Sequence, residues 1–281
     1  MPKGDHSMTL HVYEDLTQGT DEWLAARCGI VTASVVGQLI TKGAPDALTV
    51  ECPKCEAEAD SPCISTARKV PTPIKTIHDE RNAAASDLPP VYRVATGDTA
   101  KALLMTLAAE RITNYVEMIH PNRAMQRGTL DEPYARDAYS EQYEPVDQIG
   151  FMVRDYAGFK IGYSPDGLIS DAGLIEIKSR DQKIQLKTVL DDAVPAGNMA
   201  QIQCGLLVSG RRWLDYVSYC GGMPLYVKRV RPDEAWFDAI LEAASYAEDT
   251  IRGMVATYTA ATKGKPTTER IDHFAELEIT F

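Results

Sequence analysis

Residues 162–179 read Gly162-Tyr-Ser-Pro-Asp166-Gly-Leu-Ile-Ser-Asp-Ala-Gly-Leu-Ile-Glu176-Ile-Lys178-Ser179. One acid stands in a Pro-Asp-Gly turn signature, and a second stands two residues before a lysine. Gly173–Lys178 has the composition of a strand, and on an extended strand side chains two positions apart share a face. Glu176 and Lys178 therefore project together, while Ile175 and Ile177 point into the opposite packing layer. A hairpin between Asp166 and Glu176 can fold the first acid back beside the second, giving the pair of hard oxygen ligands that Mg²⁺ prefers. Metal-assisted hydrolysis of a phosphodiester needs an activated water and charge stabilisation at phosphorus. An amine beside the metal can orient that water, take its proton if its own pKa is depressed, or stabilise the pentavalent state. The residues leave these three roles open. Taken alone, Glu-x-Lys is also the pattern of a surface ion pair, so the rest of the chain has to separate a site from solvated charge.

Outward from this stretch, Ile149–Arg154 and Phe159–Tyr163 read as strands joined through Asp155-Tyr156-Ala157-Gly158, and Trp213–Tyr219 and Leu225–Val230 read as strands after it. Helical spacing predicts two short helices over Thr20–Ile40, broken at Arg27-Cys28-Gly29, with Thr32 or Ser34 near the second N-terminus. Longer helices are predicted over Thr99–Met118, Arg123–Tyr143, Met199–Val208, and from Asp233 to about Thr259 behind Pro232. Helices flanking one mixed sheet give an α/β (α+β) fold. Between Gly43 and Pro90 the texture changes to scattered prolines and polar residues with little periodicity, as in an inserted module. The predicted organisation is a main domain over 1–43 and 91–281, interrupted by a Cys/His-rich module over 44–90.

Cys52-Pro-Lys-Cys55, Cys63 and His78 lie in that module and offer a Cys₃His ligand set for Zn²⁺, which would close a loop-rich unit too poor in apolar residues to fold unaided. His120 is the alternative fourth ligand. Six cysteines in 281 residues, half of them in this cluster, fit a metal in a reducing cytoplasm better than a disulfide scaffold. No stretch approaches the roughly 20 consecutive apolar residues of a membrane span, and the first ten residues lack the pattern of a secretion signal. A net charge of −11 argues against a protein that coats nucleic acid indiscriminately. A basic lining confined to one groove remains compatible with it, and Arg180, Lys183, Lys187, Arg211, Arg212, Lys228, Arg229 and Arg231 are the candidates.

Ser164-Pro-Asp-Gly167 followed by Leu174-Ile-Glu-Ile-Lys178 resembles the PD-(D/E)XK nuclease signature. The wider set resembles the lambda exonuclease (YqaJ-type viral recombinase) family. It comprises Trp23-Leu-Ala-Ala-Arg27-Cys-Gly-Ile-Val-Thr-Ala-Ser34, Gly128-Thr-Leu-Asp-Glu132, the Asp166 and Glu176-Ile-Lys178 centre, and Met199-Ala-Gln201-Ile-Gln203. The resemblance implies a restriction-endonuclease-like mixed central sheet flanked by helices. It implies Asp166, Glu176 and the Ile177 carbonyl as ligands of Mg²⁺ or Mn²⁺, Lys178 as the catalytic lysine, Glu132 as an additional acid for a second metal, and Gln201 as a holder of water or phosphate. Gln203 is read as structural. Arg27 and Ser34 resemble a pocket for a terminal 5′-phosphate, a task that suits the guanidinium fork.

The implied activity is digestion of the 5′ strand of linear duplex DNA, with a 3′ single strand left for a single-strand annealing protein, by a ring-shaped homo-trimer in the cytoplasm of a bacterial host. The alternatives are a PD-(D/E)XK endonuclease and a non-catalytic zinc-containing DNA-binding protein. The Cys₃His spacing resembles small zinc modules of phage and actinobacterial DNA-associated proteins. The Gln-x-x-x-Tyr of RecB-like nucleases is absent, since Gly205 stands four residues after Gln201.

Overall fold

The computed structural model describes residues 8–67, 70–117 and 121–271. Its elements in chain order are β1 (Thr9–Tyr13), α1 (Asp21–Arg27), β2 (Val31–Thr32), α2 (Ala33–Val36), β3 (Ile40–Gly43), α3 (Asp79–Ser86), β4 (Val91–Val94), α4 (Asp98–Thr113) and α5 (Arg123–Gln142). They continue with β5 (Phe151–Tyr156), β6 (Phe159–Tyr163), β7 (Gly167–Ile169), β8 (Gly173–Ser179), α6 (Gln182–Asp191), α7 (Met199–Ser209), β9 (Trp213–Tyr219), β10 (Tyr226–Val230) and α8 (Glu234–Ala261).

The fold is mixed α/β, as the sequence implies, but the strands divide into two four-stranded sheets, β1-β5-β6-β2 and β10-β9-β8-β7, and a β3-β4 ribbon. Each four-stranded sheet is itself mixed, with β2 parallel to β6 and β8 parallel to β9 among antiparallel pairs. The break falls at Ser164–Asp166, where Pro165 has no N–H to extend a ladder. One apolar cluster still spans both sheets, because Met152, Ile161 and Tyr163 pack with Leu174, Leu214 and Tyr216. Helix α7 runs through this core with Ile202, Cys204, Leu206 and Val208 buried, and α4 and α8 cover it. On the other face of β8, Ile175 and Ile177 pack against Ala135 and Tyr139 of α5. The predicted alternation along β8 is thus present, with Leu174 and the buried Glu176 on the side of the main core.

Four helix starts are capped by side chains: Thr20 accepts from Trp23, Asn122 from Ala124 and Met125, Asp181 from Ile184, and Asp233 from Ala235, whereas Thr32 stands at the N-cap of α2 without a capping bond. The predicted helix to Met118 stops at Thr113, where Asn114 turns left-handed at φ 49°, and Met118 itself lies outside the described residues. The predicted loop Asp155–Gly158 shrinks to Ala157-Gly158, because Asp155 and Tyr156 pair with Lys160 and Phe159.

The ribbon leads out to the cysteine-rich module, and its last pair, Gly43 with Val91, brackets the intervening segment. Within it, Cys52, Ala57 and Cys63 form a small core of their own with Ile64, Ile74 and Ile77. Arg81 of α3 is fully buried there and donates to the carbonyls of Leu48, Val50, Glu58 and Ser61. Among the described residues no helix is long and apolar enough to cross a membrane.

Candidate active site

A cavity of about 590 Å³ opens where β8, α5, α7 and the α1–α2 segment meet. Glu132, Asp166, Glu176, Ile177, Lys178 and Gln201 all line it, and so do Arg27 and Ser34. Residues 150 positions apart in the chain are therefore brought to one place.

Glu176 is 1% exposed, and a buried carboxylate requires partners. Lys178 Nζ donates to its Oε1 at 2.6 Å, Gln201 Nε2 donates to the same oxygen at 2.5 Å, and the Tyr163 hydroxyl lies 3.4 Å from Oε2. Asp166 accepts the Ile177 N–H at 2.6 Å, which folds the first acid back beside β8 as the hairpin argument requires. Burial, reinforced by the Glu176 charge, pushes the Asp166 carboxyl well above the usual carboxylate range. Burial works against the Lys178 ammonium, but Glu176 and Asp166 outweigh it and hold the amine above its ordinary pKa.

Glu132 reaches the cavity from α5 and ion-pairs with Arg136 one turn on. Arg136 also donates to the Asp166 carbonyl at 2.9 Å, tying α5 to the turn that carries the first acid. Arg27 stacks its guanidinium 4.4 Å from the centre of the Trp23 ring and donates to Thr32, whose hydroxyl lies 3.1 Å from that of Ser34. These contacts are neutral, and the Glu110 carboxylate acts on the guanidinium charge without a hydrogen bond to it, so the donor fork stays available to an anion. Trp23 in turn donates to Ser164 at 2.9 Å, which links the Arg27 segment to the Pro-Asp-Gly turn.

Of the eight candidate lining cations only Arg180 borders the cavity, held by Asn198 at 2.8 Å and Tyr216 at 3.0 Å. The others are used elsewhere or face away. Arg211 caps the carbonyls of Ser170 and Gly173, Lys187 pairs with Asp191, Lys228 with Asp192, and Arg229 with the buried Asp215. Lys183, Arg212 and Arg231 do not border it. Gln203 is structural, as read, and joins α7 to the start of α8 through the Arg231 carbonyl and the Asp233 N–H. Tyr163 and Arg136 are absent from the sequence reading: nothing local marks Tyr163 as a neighbour of Glu176, whereas the i,i+4 spacing of Glu132 and Arg136 on a predicted helix is a signal that could have found Arg136.

Cys52, Cys55, Cys63 and His78 place their ligand atoms within 4.8 Å of one another, the one such group of three or more among the described residues. His120, the alternative ligand, lies outside the described residues. The donors suit zinc. The Ile64 N–H points at Cys55 Sγ from 3.3 Å and, as the largest influence, lowers that thiol to about 6, so it is a thiolate near neutrality. Arg81 approaches Cys63 Sγ at 3.6 Å. Cys28, Cys204 and Cys220 stand apart from the group.

The YqaJ-like viral recombinase domain profile matches residues 76–212, and that of a phage zinc finger domain matches residues 19–98. The two matches overlap, so they do not mark the ends of the module. An alkaline exonuclease from Laribacter hongkongensis superposes with a TM-score of 0.61 at 25% identity, covering 86% of this chain and 98% of that one. The same enzyme in complex with dAMP gives the same values. A phage related exonuclease from Haemophilus somnus is more distant, at 14% identity and a TM-score of 0.49, covering 82% of this chain and 96% of that one. No curated protein matches the chain.

Fold and cavity together place the molecule in the class of proteins with the alkaline exonuclease fold. More particularly, the chain matches a YqaJ-like viral recombinase domain and, over a partly overlapping stretch, a phage zinc-binding domain.

Proposed function

We propose that the protein is a phage-type recombination exonuclease that hydrolyses the 5′ strand of linear duplex DNA from its end. The observation that carries this reading is the single cavity shared by the Asp166, Glu176, Lys178 and Gln201 cluster and by Arg27 and Ser34. A reacting centre and an anion pocket in one cleft suit cleavage at a fixed distance from a terminal phosphate.

Asp166 and Glu176, with the Ile177 carbonyl, would hold Mg²⁺ or Mn²⁺, and Glu132 would exchange Arg136 for a second ion. The raised Asp166 carboxyl fits this assignment, since two crowded acids ionise together most readily beside a cation. A bound divalent ion would supply an activated water and neutralise charge on the phosphate. Lys178 would stabilise the developing negative charge, and Gln201 would fix Glu176. The dAMP complex of the Laribacter enzyme supports nucleoside monophosphates as products. Zn²⁺ in the module over 44–90 would be structural. A homo-trimer, a single-strand annealing partner and the bacterial cytoplasm complete the reading, supported by the family resemblance alone.

The test is degradation of linear duplex DNA, with and without a 5′-phosphate, as a function of Mg²⁺. Phosphorylated ends should be preferred, and Lys178→Ala should lose on the order of 10²-fold or more in rate. Unchanged degradation by Lys178→Ala would sink the centre. Equal cutting of closed circular DNA would favour an endonuclease, and no cutting of any substrate a DNA-binding role.

A further inference from the structure

The Arg27-Cys28-Gly29 turn closes α1, a helix of only seven residues, and leads directly into the segment that carries Ser34. So short a helix cannot by itself fix where Arg27 points. Two other helices grip the turn. Glu110 Oε2 accepts the Gly29 N–H at 2.7 Å, and Arg111 Nε donates to the Gly29 carbonyl at 2.6 Å. Both polar backbone groups of Gly29 are thus taken by adjacent residues at the end of α4. Arg111 is in turn held by Glu248 of α8 through two parallel bonds of 2.8 and 2.5 Å. Cys28 adds a third tie through Sγ to the Glu110 carbonyl at 3.4 Å. The site is built around glycine: φ is +66°, and a Cβ here would lie 2.3 Å from Arg111 Cγ.

We infer that Glu110, Arg111 and Glu248 are positioning residues for the terminal-phosphate pocket, setting the Arg27 guanidinium against Thr32, the neighbour of Ser34, through the backbone of Gly29. None of the three lines the cavity, so they reach the DNA end through that turn and, for Glu110, through its charge beside the Arg27 guanidinium. The inference rests on the proposed phosphate role of Arg27. It assigns end recognition to the junction of α1, α4 and α8 as well as to the residues that touch the phosphate.

The experiment compares kcat/KM on linear duplexes with 5′-phosphate and 5′-hydroxyl ends, with Mg²⁺, in full-length protein. Arg27→Ala sets the floor of the ratio. Arg111→Met keeps the aliphatic stem beside Gly29 and loses both sets of hydrogen bonds, and Gly29→Ala displaces the turn itself. Each should lower the ratio on the order of tenfold or more, mainly through KM for phosphorylated ends. The exchange Arg111→Glu/Glu248→Arg restores charge complementarity between α4 and α8 but not the donor to Gly29, so it should recover part of the melting temperature lost in Arg111→Met without the ratio. Recovery of both would make the contact mere scaffolding and overturn the inference. A ratio lost in Arg27→Ala but kept in Arg111→Met and Gly29→Ala would overturn it while leaving the pocket. A ratio unchanged in Arg27→Ala would remove the pocket reading and this inference together.

Discussion

Gly205 of α7 lies directly against the ring of Tyr163, so that a Cβ at position 205 would come 2.7 Å from Tyr163 Cζ. The absent Gln-x-x-x-Tyr tyrosine thereby acquires a physical reading: the space beside the α7 backbone is filled by an aromatic ring from β6, whose hydroxyl approaches Glu176. Gly205→Ala should force the ring away and cost about 1–3 kcal/mol of stability. Urea unfolding measures the loss, and Tyr163→Phe in the same background should not deepen it. A wild-type midpoint for Gly205→Ala would show that the ring has room to move.

Glu132 and Arg136 form an ion pair that the proposed second metal must displace. Glu132→Gln keeps the shape and an acceptor but removes the countercharge of the buried Arg136, so the fold should lose about 1–3 kcal/mol. The half-saturating Mg²⁺ concentration should rise by about tenfold, with a fall in turnover. An unaltered Mg²⁺ dependence would remove Glu132 from the metal site.

The Cys₃His group predicts one zinc per chain in freshly purified protein, lost in Cys63→Ser. Arg81 is the second support of the module, and Arg81→Ala would orphan four carbonyls at about 1–3 kcal/mol for each that stays buried. That variant should release zinc to a weaker chelator than the parent does. Metal analysis after dialysis reads the outcome, and equal zinc retention would count against Arg81 as an organiser.

Arg111 hydrogen bonds hold the Glu248 carboxyl below its usual range. A depressed folded pKa stabilises fully above the unfolded value of about 4.3, and that stabilisation is lost as pH falls through the folded pKa. Glu248→Gln should therefore lower the melting temperature near neutrality and flatten its decline below about pH 4.3. With both side chains partly solvated, the contribution should stay within about 1 kcal/mol. Parallel acid limbs for the two proteins would exclude the linkage.

Much of this architecture was legible because periodicity and burial agree. Strands such as Trp213–Tyr219 and helices such as Met199–Ser209 bury their apolar residues, and the alternation along β8 correctly put Glu176 and Lys178 on the face opposite Ile175 and Ile177. Helix α6 was illegible for the reverse reason. It buries Gln185 and Thr188 while Leu186 and Leu190 face solvent, Leu190 at 75% exposure, so its pattern points the wrong way. Strand β1 is almost wholly exposed, and β7 has three residues, too few for a period. In the candidate site the motif residues were legible. Tyr163 and Arg81 were not, because each matters through hydrogen bonds to segments remote in sequence; of the two contacts of Arg136, only the one to Asp166 needs the fold, since its pairing with Glu132 follows from helical spacing. The basic lining was overestimated because a cation's partner, such as Asp215 for Arg229, cannot be seen along the chain.

The Gly43–Val91 pair has a consequence for how such a chain can be assembled. Departure and return strands of the cysteine-rich segment are hydrogen-bonded neighbours, so the whole segment hangs from what is geometrically a hairpin. Excising it leaves two ends that a two-residue turn such as Asn-Gly can join without moving either strand. The ribbon is in that sense a point of attachment: the segment leaves and re-enters it at paired residues, whatever its length.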